Sequence, residues 1–371
     1  MKCSHLLLIS ILLAFTTGVQ SQTLVVGNYT DAKPDTGIFL FSFQPQSGEL
    51  KKLGFRLDLV NPSFLCVDSK ARLIYACTET KLPQPGSVSV FNYHSENFSL
   101  SLLNKIGSGG ENPVFITTIK SKLVVCNYSE GSVSVMDLNK DFTLNKLLQR
   151  IDLQGKSVVA ERQEKAHPHS AYFHEASGLV LIPDLGSDLI RVFEFQEQQQ
   201  EVLRERSDLT ISVNPGGGPR HMAFHPNGNW MYVVEELSGM VQVLEWDRSN
   251  KFKPLQRISS YQIPLKQYSG ADIHLSPDSR FVYVSNRIEN SLAIFEINEN
   301  NGLLNLLGHQ STQGEVPRNF TIDPSGNWLI VANQQSNTLV VFRRDMQGGG
   351  LKQVGNPISV KHPSCLQWML N

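Results

Sequence analysis

The chain repeats itself. Gly218-Pro219-Arg220-His221, the turn His225-Pro226-Asn227-Gly228 and the run from Trp230 to Glu236 match a second set position for position. That set is Val316-Pro317-Arg318-Asn319, Asp323-Pro324-Ser325-Gly326 and the run from Trp328 to Gln334. A third copy runs from Gly270-Ala271-Asp272 through Ser276-Pro277-Asp278 to Arg287. Others begin at Asn61-Pro62, Asn112-Pro113 and His167-Pro168, and a truncated one at His362-Pro363. The starts at 62, 113, 168, 219, 271, 317 and 363 are 46 to 55 residues apart. A fixed period of this length marks units that bury their apolar faces only against one another.

Within each copy a short apolar run ends in a Pro/Asn/Asp/Gly/Ser turn and a strongly β-prone run returns. An alternating strand follows, such as Ser87-Val88-Ser89-Val90-Phe91, and then a fourth run. No stretch between copies has sustained helical periodicity. Four-stranded antiparallel meanders at this spacing predict an all-β, seven-bladed β-propeller. The last copy holds only a first strand, Ser364 to Leu370. Leu24 to Tyr29 and Gly37 to Phe43 supply its missing partners, so both termini build the last blade and close the ring. Tandem sandwiches are the alternative, and the split unit argues against them.

Met1-Lys2, the apolar run Leu6 to Phe15 and the small residues around Ser21 form a secretory signal pattern. The run is too short for a permanent membrane span. Residues 1–21 are therefore expected to leave, and 22–371 to form one propeller domain that is soluble and exported, periplasmic or secreted, with no membrane contact after cleavage. The chain carries 33 Lys+Arg against 34 Asp+Glu, which gives no reason to expect nucleic acid as a partner. Cys66, Cys77, Cys126 and Cys365 lie in apolar, strand-like runs without CxxC spacing, and read as small core residues.

In an antiparallel hairpin, the start of the first strand and the end of the second lie together. If first strands line the axis, these positions ring one mouth of the channel. The third to sixth copies bring His169, Arg220, Glu236, Asp272, Arg287 and Arg318 to that mouth. Asn286 and Asn333, which end second strands, join Asp272 and Arg318 as candidate substrate-binding residues. Arg offers planar paired donors to a carboxylate, phosphate or enolate oxygen. A His or Glu beside it transfers protons. The combination suits opening or closing an ester-like ring; structural ion pairs between blades are the alternative.

Other signals are weaker. His221, His225 and His274 read as structural. His167, His169 and His174 alternate in face and lack HExxH or CxxC company, so no metal site is expected. Neither Gly216-Gly217-Gly218 nor Gly348-Gly349-Gly350 opens a helix, and no GxSxG elbow is present.

The ordered set His167-Pro168-His169, Asp184-Leu185-Gly186, Gly218-Pro219-Arg220-His221, Glu235-Glu236-Leu237, Ser285-Asn286-Arg287 and Pro317-Arg318-Asn319-Phe320 resembles the seven-bladed propeller lactonase family over about residues 23–371. That family includes propeller-type 6-phosphogluconolactonases and fungal carboxy-cis,cis-muconate cyclases. The resemblance implies chemistry without a cofactor. It implies catalytic roles for His169, Glu236, Arg220 and Arg287, which match the cyclase branch. The family's Asn-Glu-Leu is Glu235-Glu236-Leu237 here, and the added carboxylate either raises the pKa of Glu236 or faces away.

The expected function is an exported lactonase that hydrolyses a sugar or aldonic-acid lactone, with a small-molecule lactone or anionic sugar acid as partner. Arg220, Arg287 and Arg318 bind the anionic group or carbonyl oxygen; Glu236 or His169 activates water. 6-Phosphogluconolactone is the substrate the resemblance implies, although an exported protein would not meet a cytosolic sugar phosphate. A cycloisomerase using the same site and a non-catalytic glycan- or protein-binding propeller are the alternatives. A redox propeller is remote, since no CxxCH is present.

Overall fold

The computed structural model describes residues 22–56, 58–80, 84–248 and 251–370. The leader segment read from residues 1–21 lies outside them. Seven antiparallel sheets follow one another; six are built in chain order from their first strand, and the seventh takes its first strand from the other end of the chain. The first strands are Leu65–Asp68, Pro113–Ile119, Tyr172–His174, Pro219–Phe224, Gly270–Leu275, Pro317–Ile322 and Pro363–Met369. Most of them touch the first strand of the next blade, which sets them around a common axis. These sheets are blades one to seven of a β-propeller. Blade three adds a short fifth strand, Ile211–Ser212, and no α-helix occurs among the described residues.

Blade seven joins the two ends of the chain. Pro363–Met369 pairs antiparallel with Gln22–Asn28, which continues into Ile38–Gln44 and Glu49–Arg56. The split repeat predicts this closure. It leaves no open sheet edge between the first blade and the last.

Burial explains the apolar runs. Every residue of the second strands Trp230–Glu235, Phe281–Asn286 and Trp328–Asn333 is buried, because a neighbouring blade covers each face. The outermost strands, such as Glu49–Arg56, are largely open to solvent. The core is a set of wedges between blades: Leu24, Phe39 and Phe41 of blade seven pack on Trp328, Ile330 and Val341 of blade six. In blades one, four, five and six an aromatic residue of the second strand pins the wedge. Its ring fills the gap and its polar tip reaches the next blade's outer turn. Tyr232 OH donates to Gly302 O at 3.1 Å, Tyr283 OH to Gly349 O at 2.7 Å and Tyr75 OH to Phe142 O at 2.6 Å. Trp328 Nε1 does the same to Pro45 O at 2.8 Å.

Cys77, Cys126 and Cys365 are buried in these wedges, Cys66 is partly buried, and all four thiols are free. Burial pushes the Cys77 thiol up to about 12.

Candidate active site

The repeat places a backbone irregularity where the site is built. Strand pairing slips at Pro113/Phe115, Pro219/His221, Gly270/Ile273 and Pro317/Asn319. The residues at the slips are Val114, Arg220, Ala271 with Asp272, and Arg318. A bulge turns a side chain out of the regular alternation. Here it brings Val114 and Arg318 to the channel mouth, and Arg220 and Asp272 to the layers beneath it, instead of the wedges. The residue before the Pro often has a left-handed backbone, as at Gly218 (φ 64°) and Val316 (φ 58°). Such a conformation is strained for a β-branched residue.

A cavity of about 220 Å³ opens at this mouth, lined by Glu79, Asn112, Val114, Tyr128, Arg162, His169, Glu236, Arg287 and Arg318. A larger hollow of about 750 Å³ lies between turns of blades four and five, near His225, Trp230, Arg280 and Glu296, and shares no residue with it. The smaller one holds the convergent chemistry.

Glu236 is its centre. The carboxylate is 4 % exposed and accepts from three guanidiniums: Arg162 Nη2 at 2.6 Å on Oε1, then Arg220 Nε at 3.0 Å and Arg287 Nη2 at 2.7 Å on Oε2. Burial alone would raise its pKa; Arg287, Arg220 and Arg162 override that and hold it well below the usual carboxylate range. Glu235 faces away. Arg257 Nη2 at 2.7 Å and Ser238 Oγ at 2.5 Å both donate to it.

Arg220 does not line the cavity. It lies beneath Glu236, with Nη1 donating to Ala271 O at 2.5 Å. Burial, then Arg287 and Arg318, bring its pKa down to about 9. Arg318 Nη2 donates to Tyr29 OH at 2.8 Å, and Tyr29 OH donates to Glu79 Oε2 at 2.7 Å. Four guanidiniums thus meet two carboxylates, leaving a surplus of positive charge that suits an anionic group.

His169 lines the cavity but is only 5 % exposed. Its Nδ1 is buried without a hydrogen-bond partner among the described residues. Burial, then Arg220 and His221, depress its pKa well below the ordinary histidine value against the opposing pull of Glu236. The imidazole is therefore neutral at neutral pH.

Asp272, expected among the substrate-binding residues, is one layer deeper. It accepts from His221 Nδ1 at 2.7 Å, His274 Nε2 at 2.9 Å and Asn319 Nδ2 at 2.5 Å. Asn286 and Asn333 do not reach the cavity either. Asn286 Nδ2 donates to Ser260 O at 2.5 Å, and Asn333 Nδ2 to Thr312 O at 2.9 Å. Asn28 makes the same tie to Lys361 O at 3.0 Å. An amide ending the second strand clamps the loop arriving from the previous blade. The recurrence of Asn there follows from that clamp. Sequence reasoning passed over Arg162. It lies on the connection between blades two and three, and the one available signal was the spacing of 55 residues between those copies.

Fold and site together define a closed seven-bladed propeller with an arginine-rich polar pocket at one channel mouth. The chain belongs to the lactonase family of seven-bladed β-propellers, whose model matches residues 23–368. It is 39 % identical to a 6-phosphogluconolactonase of Formosa agariphila over 93 % of this chain and 98 % of that one. A 6-phosphogluconolactonase of Bacillus subtilis is 31 % identical over 93 % of this chain and 97 % of its own. Among solved structures, the periplasmic gluconolactonase PpgL of Pseudomonas aeruginosa superposes with a TM-score of 0.88 at 28 % identity, covering 94 % of this chain and 99 % of that one.

Proposed function

We propose that this chain is an exported lactone hydrolase acting on a sugar or aldonic-acid lactone, with His169 as general base. The observation that carries the assignment is the contrast between the two candidate bases. Glu236 is held ionised by three guanidiniums and is a poor proton acceptor. His169 is neutral, borders the cavity and has no ion-pair partner of its own.

His169 removes a proton from a water molecule as its oxygen adds to the lactone carbonyl carbon. The carbonyl oxygen becomes an oxyanion held by Arg287 and Arg318. The bond to the ring oxygen then breaks, and that oxygen takes the proton back from the imidazolium. The product is an open hydroxy acid; once its carboxyl group has lost its proton to solvent, the carboxylate meets Arg162, the most exposed of the guanidiniums bound to Glu236. Glu236 and Arg220 hold this array in place. A cavity of about 220 Å³ suits one sugar ring. Export is supported by the pattern of residues 1–21 and by the likeness to a periplasmic gluconolactonase, and it favours an unphosphorylated lactone.

Purified protein is expected to open glucono-1,5-lactone faster than it opens spontaneously. His169→Ala should lower kcat by about 10²–10⁴-fold. A wild-type rate equal to the spontaneous rate, for this lactone and its 6-phosphate, refutes the proposal.

A further inference from the structure

Beneath His169 lies a second histidine that the proposed chemistry does not use. His221 is 3 % exposed, and its Nδ1 is 2.7 Å from Asp272 Oδ1. Its other nitrogen, Nε2, is buried without a hydrogen-bond partner among the described residues. The His169 and His221 rings meet edge to face, 5.3 Å between centroids. Two buried ring nitrogens, His169 Nδ1 and His221 Nε2, thus lack partners on adjacent rings. A buried polar group left unmet is costly. Phe64 and Phe115 crowd His221 at 6.0 and 5.8 Å and offer it no polar contact.

We infer that Asp272 and His221 are positioning residues that fix the tautomer of His169 from below, ring against ring and without a bridging hydrogen bond; the inference rests on the reading of His169 as the base. The protons follow from the charges. The carboxylate of Asp272 is ionised, so His221 Nδ1 must carry hydrogen and donate to it. His221 is neutral, since burial and then Arg220 lower its pKa to about 4. Its Nε2 is therefore a lone pair, and only an acceptor. His169 complements that acceptor by carrying its hydrogen on Nδ1. The basic lone pair then lies on His169 Nε2. When that nitrogen takes a proton, Asp272 stabilises the cation through His221, as an orienting carboxylate does in other acid–base chains. The other charged groups facing His169 are Arg220, Glu236 and Arg318, with the Tyr128 ring on one edge. Asp272 is also shared by His274, whose pKa it raises against burial.

The test begins on wild-type protein labelled with ¹⁵N-histidine. Imidazole shifts should show both His169 and His221 as Nδ1–H tautomers; an Nε2–H tautomer at His169 overturns the inference, whatever the activity. His221→Phe keeps an aromatic ring and removes the acceptor. It should lower kcat about tenfold or more with KM within about twofold, and an unchanged kcat overturns the inference. Asp272→Asn should lower kcat and move the acid limb of kcat/KM to lower pH, because the imidazolium loses its support. An unmoved limb argues against the chain. Wild-type kcat in His169→Ala would sink the base assignment instead, and the tautomer measurement separates the two failures.

Discussion

Glu236→Gln tests the charge arrangement at the site without changing its shape. The substitution removes one negative charge from among three guanidiniums. Arg162 is 43 % exposed, so water replaces much of what it loses. Arg220 and Arg287 are only 3 % and 13 % exposed and keep buried, uncompensated charge. Breaking a buried pair from one side costs about 3–5 kcal/mol. Unfolding entropy of about 2.1 cal/mol/K per residue over roughly 350 residues converts this to a fall in Tm of about 4–7 °C. The pH dependence has a definite sign. The Glu236 carboxyl is depressed in the folded protein, so its contribution is complete above the unfolded value of about 4.3 and fades as pH falls toward the folded value. Urea melts of wild type and variant, run from pH 8 to pH 3.5, should therefore differ by a constant amount down to about pH 5 and converge below it. A gap under about 1 kcal/mol at pH 7, flat with pH, would refute the ion-paired centre.

Arg162→Ala should change stability by under about 1 kcal/mol, since the side chain is 43 % exposed. It should weaken inhibition by aldonate product more than it lowers kcat; equal inhibition of both proteins speaks against an anion contact. Gly48 has φ 77°, and a Cβ there would lie 2.3 Å from the Trp328 ring. Gly48→Ala should cost more than about 1 kcal/mol by urea melt, and an unchanged midpoint would show that the wedge between blades six and seven is looser than drawn. The acid limb of kcat/KM should fall below pH 6.5, because burial together with Arg220, His221 and Arg318 outweighs Glu236 at His169. A limb above that value contradicts a neutral buried base.

The wheel is legible in the sequence. Period-two strands and proline-marked starts are local signals, and a repeat that recurs around the whole ring averages out local ambiguity. Blade closure was legible for the same reason, since a missing strand at one terminus is matched by spare strands at the other. The mouth position of His169, Glu236, Arg287 and Arg318 followed from hairpin geometry alone. Depth and direction did not. Arg220 and Asp272 fall on the slipped turns of first strands, and a slip of one residue reverses a side chain. Asn286 and Asn333 carry the same local signature as site residues, yet their amides clamp interblade loops. Arg162 comes from a connection with no pattern, and His221 acquires meaning only from Asp272 on the neighbouring blade. Sequence determines what repeats, because repetition follows from local hydrogen bonding and alternation. Tertiary structure decides which charges meet, because residues fifty or more positions apart become neighbours only when the ring closes.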